Sequence, residues 1–176
     1  RPETAQGSYL SFARMWEVGR KQLPLGLAVV GKAFRNEIAP RQVLFRMREF
    51  TQAELQIFFD PESFSVPLEK VKDLSLPVLR AEARARGETE ATGTAPSDLV
   101  AAGLPAFYVY HLAQEFRFFT RVLRYPADRL RFLEKNEKER AFYNRIHFDL
   151  GRGSAFAWGG SGTSGRSTSR GDYDRR

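Results

Sequence analysis

Leu25-Gly26-Leu27-Ala28-Val29-Val30-Gly31-Lys32-Ala33-Phe34 runs into Arg35-Asn36-Glu37 and a polar stretch containing Pro40, and Val43 to Phe59 then brings back Leu44, Phe45, Met47, Phe50, Leu55, Ile57, Phe58 and Phe59. The first run is short and apolar, which suits a buried strand. The second alternates in part between apolar and polar residues, as a half-buried strand does. Arg35 to Gln42 reads as a turn or loop. Two strands joined by a polar loop predict an antiparallel pair over residues 25–59. The expected class is α+β, an antiparallel sheet flanked by helices.

Chemistry gathers where this pair turns. Phe34-Arg35-Asn36-Glu37 leaves one strand and Arg46-Met47-Arg48-Glu49-Phe50 enters the other, so an antiparallel pairing brings both clusters to one ligand. Arginine presents a planar fork of donors to phosphate or carboxylate oxygens. Glu37 could accept hydrogen bonds from an exocyclic amine, and Phe50 offers a flat face to a purine, with a neighbouring arginine adding a cation–π term. Together these describe an ATP site without a Gly-rich phosphate loop; neither a Walker A nor a dinucleotide fingerprint occurs in the chain. An ordinary hairpin with surface Arg–Glu pairs accounts for the same pattern equally well.

On the N-terminal side, Tyr9, Phe12, Ala13, Trp16 and Val18 predict a helix closed by Pro24. On the C-terminal side, Asp60 to Pro67 reads as a turn. Leu68 to Arg86 reads as a helix that Pro77 interrupts and Gly87 ends, and Glu88 to Ser97 as a loop. Leu99 to Leu123 reads as an amphipathic helix on Tyr108, Leu112, Phe116, Phe119 and Leu123. Leu130 to Leu133 suits a short strand, and Asn136 to Ile146 a helix or helical turn. No aliphatic residue follows Trp158, so residues 159–176 are expected to be a disordered tail on a domain spanning 1–158, with a helical insertion at about 68–128. Phe116, Phe118 and Phe119 read as core, His111 as a core or boundary residue, His147 as isolated, and Arg80 to Arg86 as a solvated helix face.

The 176 residues carry 28 basic side chains against 21 acidic ones, a net charge of +7. That balance points to an anionic partner, whether nucleotide, nucleic acid or acidic surface. With no cysteine, the chain has no disulfide framework, thiolate nucleophile or cysteine-ligated metal, and two histidines argue against a histidine-rich metal site; no metal site is expected. No stretch approaches the roughly 20 apolar residues of a membrane helix, and the start at Arg1 lacks a signal-peptide pattern. Without an initiating Met, the chain reads as a fragment.

Phe34-Arg35-Asn36-Glu37 followed by Arg46-x-x-x-Phe50 resembles motif 2 of the class II aminoacyl-tRNA synthetases. The longer blocks Arg1-Pro2-Glu3-Thr4-Ala5-Gln6-Gly7, Gly31 to Arg41 and Arg46 to Glu54 are similar to the homodimeric glycyl-tRNA synthetases, and the similarity covers residues 1–59, with a looser match over 105–149. The resemblance implies a catalytic-core fragment of a glycine–tRNA ligase. Such an enzyme activates glycine with ATP and Mg²⁺ and passes it to tRNA(Gly) without a protein nucleophile.

Carried over to matching positions, Arg35 would bind the ATP α-phosphate and the glycine carboxylate, and Arg46 the γ-phosphate, the two acting as the catalytic pair. Glu37 would read the adenine amino group and Phe50 would stack on adenine. Asn36, Phe45, Met47, Arg48 and Glu49 would line the nucleotide site. Glu3 and Glu54 would hold the glycine ammonium, with Phe50, Thr51, Gln52 and Ala53 framing the pocket. Glycine has no side chain, so selection must come from gripping its ammonium and excluding anything larger.

The resemblance further implies a cytoplasmic protein without membrane attachment, homodimeric as the full-length parent. Motif 1 would lie ahead of residue 1 and motif 3 beyond residue 176, so the isolated chain is expected not to aminoacylate tRNA. Where the family continues from Trp158 into an apolar strand, Gly159 to Ser169 is low-complexity text of the kind a reading-frame error produces. Two other readings compete: a non-catalytic RNA-binding module, supported by the charge and the aromatics, and a non-functional truncated product. A generic RNA binder has no need of Arg35, Glu37, Arg46 and Phe50 together.

Overall fold

The computed structural model describes residues 4–36, 47–140, 144–152 and 164–165. The chain divides into two compact units, Arg1–Phe64 and Ser65–Arg176, where the sequence suggested one domain over 1–158.

The first unit is a helix on a strand pair. Helix α1 (Thr4–Gly19) precedes β1 (Leu25–Phe34) and β2 (Glu49–Phe58). The strands pair antiparallel in register from Leu25↔Phe58 to Phe34↔Glu49, as the sequence predicts, although β2 begins at Glu49 and residues 43–46 lie outside the described set. Burial alternates along both strands, so one face is covered and the other open. Aromatic rings of α1 close part of the covered face: Phe12 stacks on Phe58 at 4.2 Å and Tyr9 meets it edge-on at 5.6 Å. Val18 departs from the expected helix face and is exposed.

The second unit is built on a five-stranded sheet in the order β4-β3-β5-β6-β7, with β3 Leu76–Leu79, β4 Thr92–Thr94, β5 Leu130–Glu134, β6 Phe148–Arg152 and β7 Ser164–Gly165. All its neighbours are antiparallel except β3 and β5. Between β3 and β5 run α2 (Ala81–Ala85), α3 (Pro96–Ala101) and α4 (Ala106–Arg117). Leu99, Val109, Leu112 and Phe116 from the helices meet Leu76, Val78, Phe132, Phe148 and Leu150 from the sheet in one core.

Several expectations for this unit are corrected. Leu68 to Arg86 is a single helical turn (Leu68–Val71), then β3, then α2. Pro77 explains the break: it has no N–H to donate and clashes inside a helix, and in β3 it leaves Leu76 and Val78 free to bury on either side of it. Within the loop predicted over Glu88 to Ser97, residues 92–94 pair with β3. The long helix predicted from Leu99 is broken at Gly103, whose φ of +91° ends α3, before Pro105 opens α4. Asn136 to Ile146 begins as a turn, in which Asn136 Oδ1 accepts from the backbone N–H groups of Lys138 and Glu139; residues 141–143 lie outside the described set. Strand β6 had no sequence prediction.

Arg80 and Arg84 do not form a solvated face. Arg80 Nε donates to Glu134 Oε2 at 2.6 Å, and Arg84 donates from both Nη atoms to the Glu139 carboxylate at 2.7 Å each and to the Glu134 carbonyl at 2.9 Å. These contacts, the Arg84 pair being a two-point fork, fasten the short α2 to the end of β5. Within the stretch expected to be a tail, Ser164 and Gly165 pair with Gly151 and Leu150 of β6. Ladder hydrogen bonds come from backbone groups, so a Ser–Gly pair can supply them without aliphatic side chains. The remaining tail, residues 159–163 and 166–176, lies outside the described set.

Phe132 is fully buried at the centre of this sheet. Phe132→Ala should lower the unfolding free energy of the second unit by about 3–5 kcal/mol, measured by urea titration.

The Arg84 hydrogen bonds hold the Glu139 carboxyl down to about 2, against the upward push of partial burial. A depressed carboxyl contributes stability that is complete above its ordinary value of 4.5 and lost as pH falls through about 2. The urea-midpoint difference between the parent chain and Glu139→Gln should therefore be largest above pH 4.5 and shrink toward pH 2; a difference that stays flat across that window would contradict it.

Candidate functional site

Side-chain alternation sorts the candidate residues of the first unit. Phe50, Gln52, Glu54, Gln56 and Phe58 lie opposite Ala33, Gly31, Val29, Leu27 and Leu25 in the ladder, and directly paired residues share a face. This is the face that α1 partly covers. Past Phe34 the ladder continues one step, with Arg35 N–H donating to the Arg48 carbonyl at 2.9 Å. That step returns Arg35 to the face of Phe50, and its guanidinium carbon sits 5.4 Å from the Phe50 ring centroid, within cation–π range.

Four residues further along the same face is a carboxylate set between two amides. Glu54 accepts hydrogen bonds from Gln52 Nε2 and from Gln56 Nε2, the latter at 3.2 Å. It is half-buried, and no lysine or arginine among the described residues pairs with it. A partly desolvated carboxylate held by neutral donors keeps its charge available for a cationic group. Two residues on, Gln56 Oε1 is buried with no hydrogen-bond partner among the described residues, as is Ser8 Oγ on α1. The face therefore carries an arginine–aromatic pair at one end and a fixed carboxylate further along.

Other candidates lie elsewhere. Glu49 is on the opposite face, where it pairs with Lys32 at 3.0 Å with both side chains more than half exposed. Thr51 and Ala53 share that outer face and are exposed. Arg48 is the exception: opposite Arg35 in the ladder, it shares the face of Arg35 and Phe50 and is exposed, as is Asn36 at the ladder's end, while Met47 is half-buried. Glu3, Glu37, Phe45 and Arg46 lie outside the described residues.

Gln56 had no place among the sequence candidates; stepping by two from Glu54 reaches it. His147, expected to be isolated, is buried in the second unit. Its Nε2 lies 3.1 Å from Asp149 Oδ1, Lys135 Nζ lies 2.9 Å from Asp149 Oδ2, and Asn144 Nδ2 is 3.5 Å from His147 Nδ1. Burial pushes the Asp149 carboxyl up, but hydrogen bonds from His147 and Lys135 outweigh it and leave the group below its ordinary value. The i, i+2 spacing of His147 and Asp149 is the signal for this internal brace. His111 is half-buried against Phe107, and burial lowers its pKa. Phe116 is buried as expected, whereas Phe118 is 49% exposed. Among the described residues no group of three or more acidic, histidine or cysteine side chains could hold a metal ion, and no helix is long and apolar enough to cross a membrane.

No family model matches the chain. It is 41% identical over 99% of its length to the glycine–tRNA ligase of Aeropyrum pernix, 39% identical over 85% to that of Thermococcus sibiricus, and 38% identical over 81% to that of Methanothrix thermoacetophila. It spans 30%, 26% and 25% of those relatives' lengths.

Because the chain has no cysteine, single cysteines report the two faces cleanly. Val30→Cys and Ala53→Cys on the open face should react with a maleimide about tenfold faster than Ala33→Cys on the covered face, following thiol accessibility. Equal rates would contradict the assignment.

Proposed function

We propose, from its kinship along nearly its whole length with a stretch of the glycine–tRNA ligases, that this chain supplies part of the ATP- and glycine-handling core of such a ligase. The observation that carries the reading is the shared strand face: Arg35 against Phe50, and Glu54 held by two amides further along. Arg35 would draw the ATP α-phosphate and the glycine carboxylate together, and Phe50 would take the adenine ring. Glu54 would receive the glycine ammonium. With both substrates so placed, a glycine carboxylate oxygen attacks the α-phosphorus, the bond to the bridging oxygen breaks, and pyrophosphate leaves. Positioning and neutralisation of charge supply the rate, with no protein nucleophile.

Glu37, Arg46, Asn36, Phe45, Met47 and Arg48 would complete the nucleotide side, and Glu3 and Gln52 the glycine side. The outward positions of Glu49, Thr51 and Ala53 suit backbone roles better than side-chain contacts. Mg²⁺ would arrive with the ATP phosphates. The described residues offer no donor set for it. Transfer to tRNA(Gly), a homodimeric parent and a cytoplasmic setting belong to the same reading.

A non-hydrolysable glycyl-adenylate analogue tests the proposal by calorimetric titration of the full chain. Arg35→Ala and Glu54→Ala should each weaken binding about 10- to 100-fold, the loss expected for a charge-assisted hydrogen bond. An analogue carrying alanine should bind worse than the glycyl one. Unchanged affinity in both variants would overturn the assignment.

A further inference from the structure

Gln56 is a polar side chain in apolar surroundings. It is 8% exposed. Leu27 lies opposite it in the ladder, and Phe58, the next residue along the same face, carries the rings of Tyr9 and Phe12. Strand periodicity alone would place an aliphatic residue here. The amide also leaves its Oε1 buried with no hydrogen-bond partner among the described residues, a costly arrangement for a polar atom. A side chain of similar length without the amide would avoid that cost, so packing of the strand pair does not require a glutamine at this position.

What the amide does is hold Glu54. Gln56 Nε2 donates to Glu54 Oε2 at 3.2 Å, while Gln52 Nε2 donates to the other oxygen, Oε1. An ionised carboxylate only accepts, so each glutamine must turn its nitrogen toward it. For Gln56 that choice is what leaves Oε1 on the apolar side. Bonds to two different oxygens fix the carboxylate plane, where a single bond would let it turn. Both donors are neutral, so the negative charge is oriented without being cancelled. The two amides are not equivalent. Gln52 is half-buried and lies between Glu54 and Phe50 along the face, whereas Gln56 is buried and lies one step beyond Glu54, away from Arg35 and Phe50.

We propose that Gln56 is a positioning residue: it fixes the Glu54 carboxylate for a primary ammonium group and so sets how strongly the site prefers a ligand that carries the amine over one that lacks it. The role rests on the ligase reading for the identity of that ammonium, which is glycine's. Gln56 touches no substrate and acts through Glu54. The gain is preorganisation, because a carboxylate already held in orientation loses less freedom when its partner arrives. The cost of the buried Oε1 falls on stability and the gain falls on binding, so substitution at this position should separate the two.

Calorimetric titration of the full chain with a non-hydrolysable glycyl-adenylate analogue, and with its acetyl counterpart that lacks the amine, reads this preference. Gln56→Met should cut the preference about tenfold, the loss expected for one hydrogen bond to a charged group. Its affinity for the acetyl analogue should be unchanged, and its urea midpoint equal to the parent's or higher. In Glu54→Ala the preference should vanish, and adding Gln56→Met should remove nothing more. Gln56→Asn keeps an amide but falls one methylene short of Glu54; it should behave like Gln56→Met, and it carries the test if circular dichroism shows that Gln56→Met does not fold. A Gln56→Met chain that is less stable yet keeps the parent's preference makes Gln56 a structural residue and overturns the proposal. Equal losses for both analogues overturn it too. A parent chain that binds the two analogues alike, or binds neither, overturns the ligase reading and this role together. Failure of Gln56 alone has a different pattern, in which the parent discriminates, Glu54→Ala does not, and Gln56→Met still does.

Discussion

The antiparallel register between β1 and β2 is the constraint on which the candidate site depends. Pairing from Leu25↔Phe58 to Phe34↔Glu49 sets which side chains can reach one ligand, because strand side chains alternate and a shift by one residue would exchange the faces. In this register Arg35, Phe50 and Glu54 share a face while Glu49 and Thr51 point away. The one added hydrogen bond from Arg35 to Arg48 matters for the same reason: it keeps the arginine in step with the ladder instead of releasing it into the loop.

A different balance holds the second unit. Its core is apolar and contributed by helices and sheet together, and burial there is the main stabilising force. Short elements such as α2 cannot bury enough to hold themselves. Arg80 on Glu134 and the Arg84 fork on Glu139 fasten α2 at the edge of that core, and the two-point geometry of the fork makes it more orienting than a single ammonium contact. Among the described residues of this unit, guanidinium groups are paired with carboxylates at α2 and make no ion pair at the end of α4. The difference lies in whether the fold brings a carboxylate within reach.

Strong local patterns read correctly from the residues alone: the apolar run of β1, the helix of α1, the short β5, and the antiparallel pairing across a polar loop. Each depends on periodicity or on turn chemistry, which act over a few residues. Leu68 to Arg86 misled because its leucines and valines fit helical spacing, and only Pro77 spoke against it. Short strands such as β4 and β6 carry little signal of their own; they exist because a neighbouring strand offers hydrogen bonds and a core offers burial.

The residues by themselves determined the chemistry available: arginines and a phenylalanine flanking a polar turn, a carboxylate a few positions on, and an excess of basic charge. They also determined the strand period that sorts those groups in alternation. Tertiary structure decided which groups meet. It set Arg35 over Phe50 and held Glu54 between two glutamines. It paired Arg84 with a carboxylate 55 positions away, buried His147 beside Asp149, and left Phe118 outside the core that took Phe116. Partners distant in sequence are chosen by packing, and packing is a property of the whole unit that no local window contains.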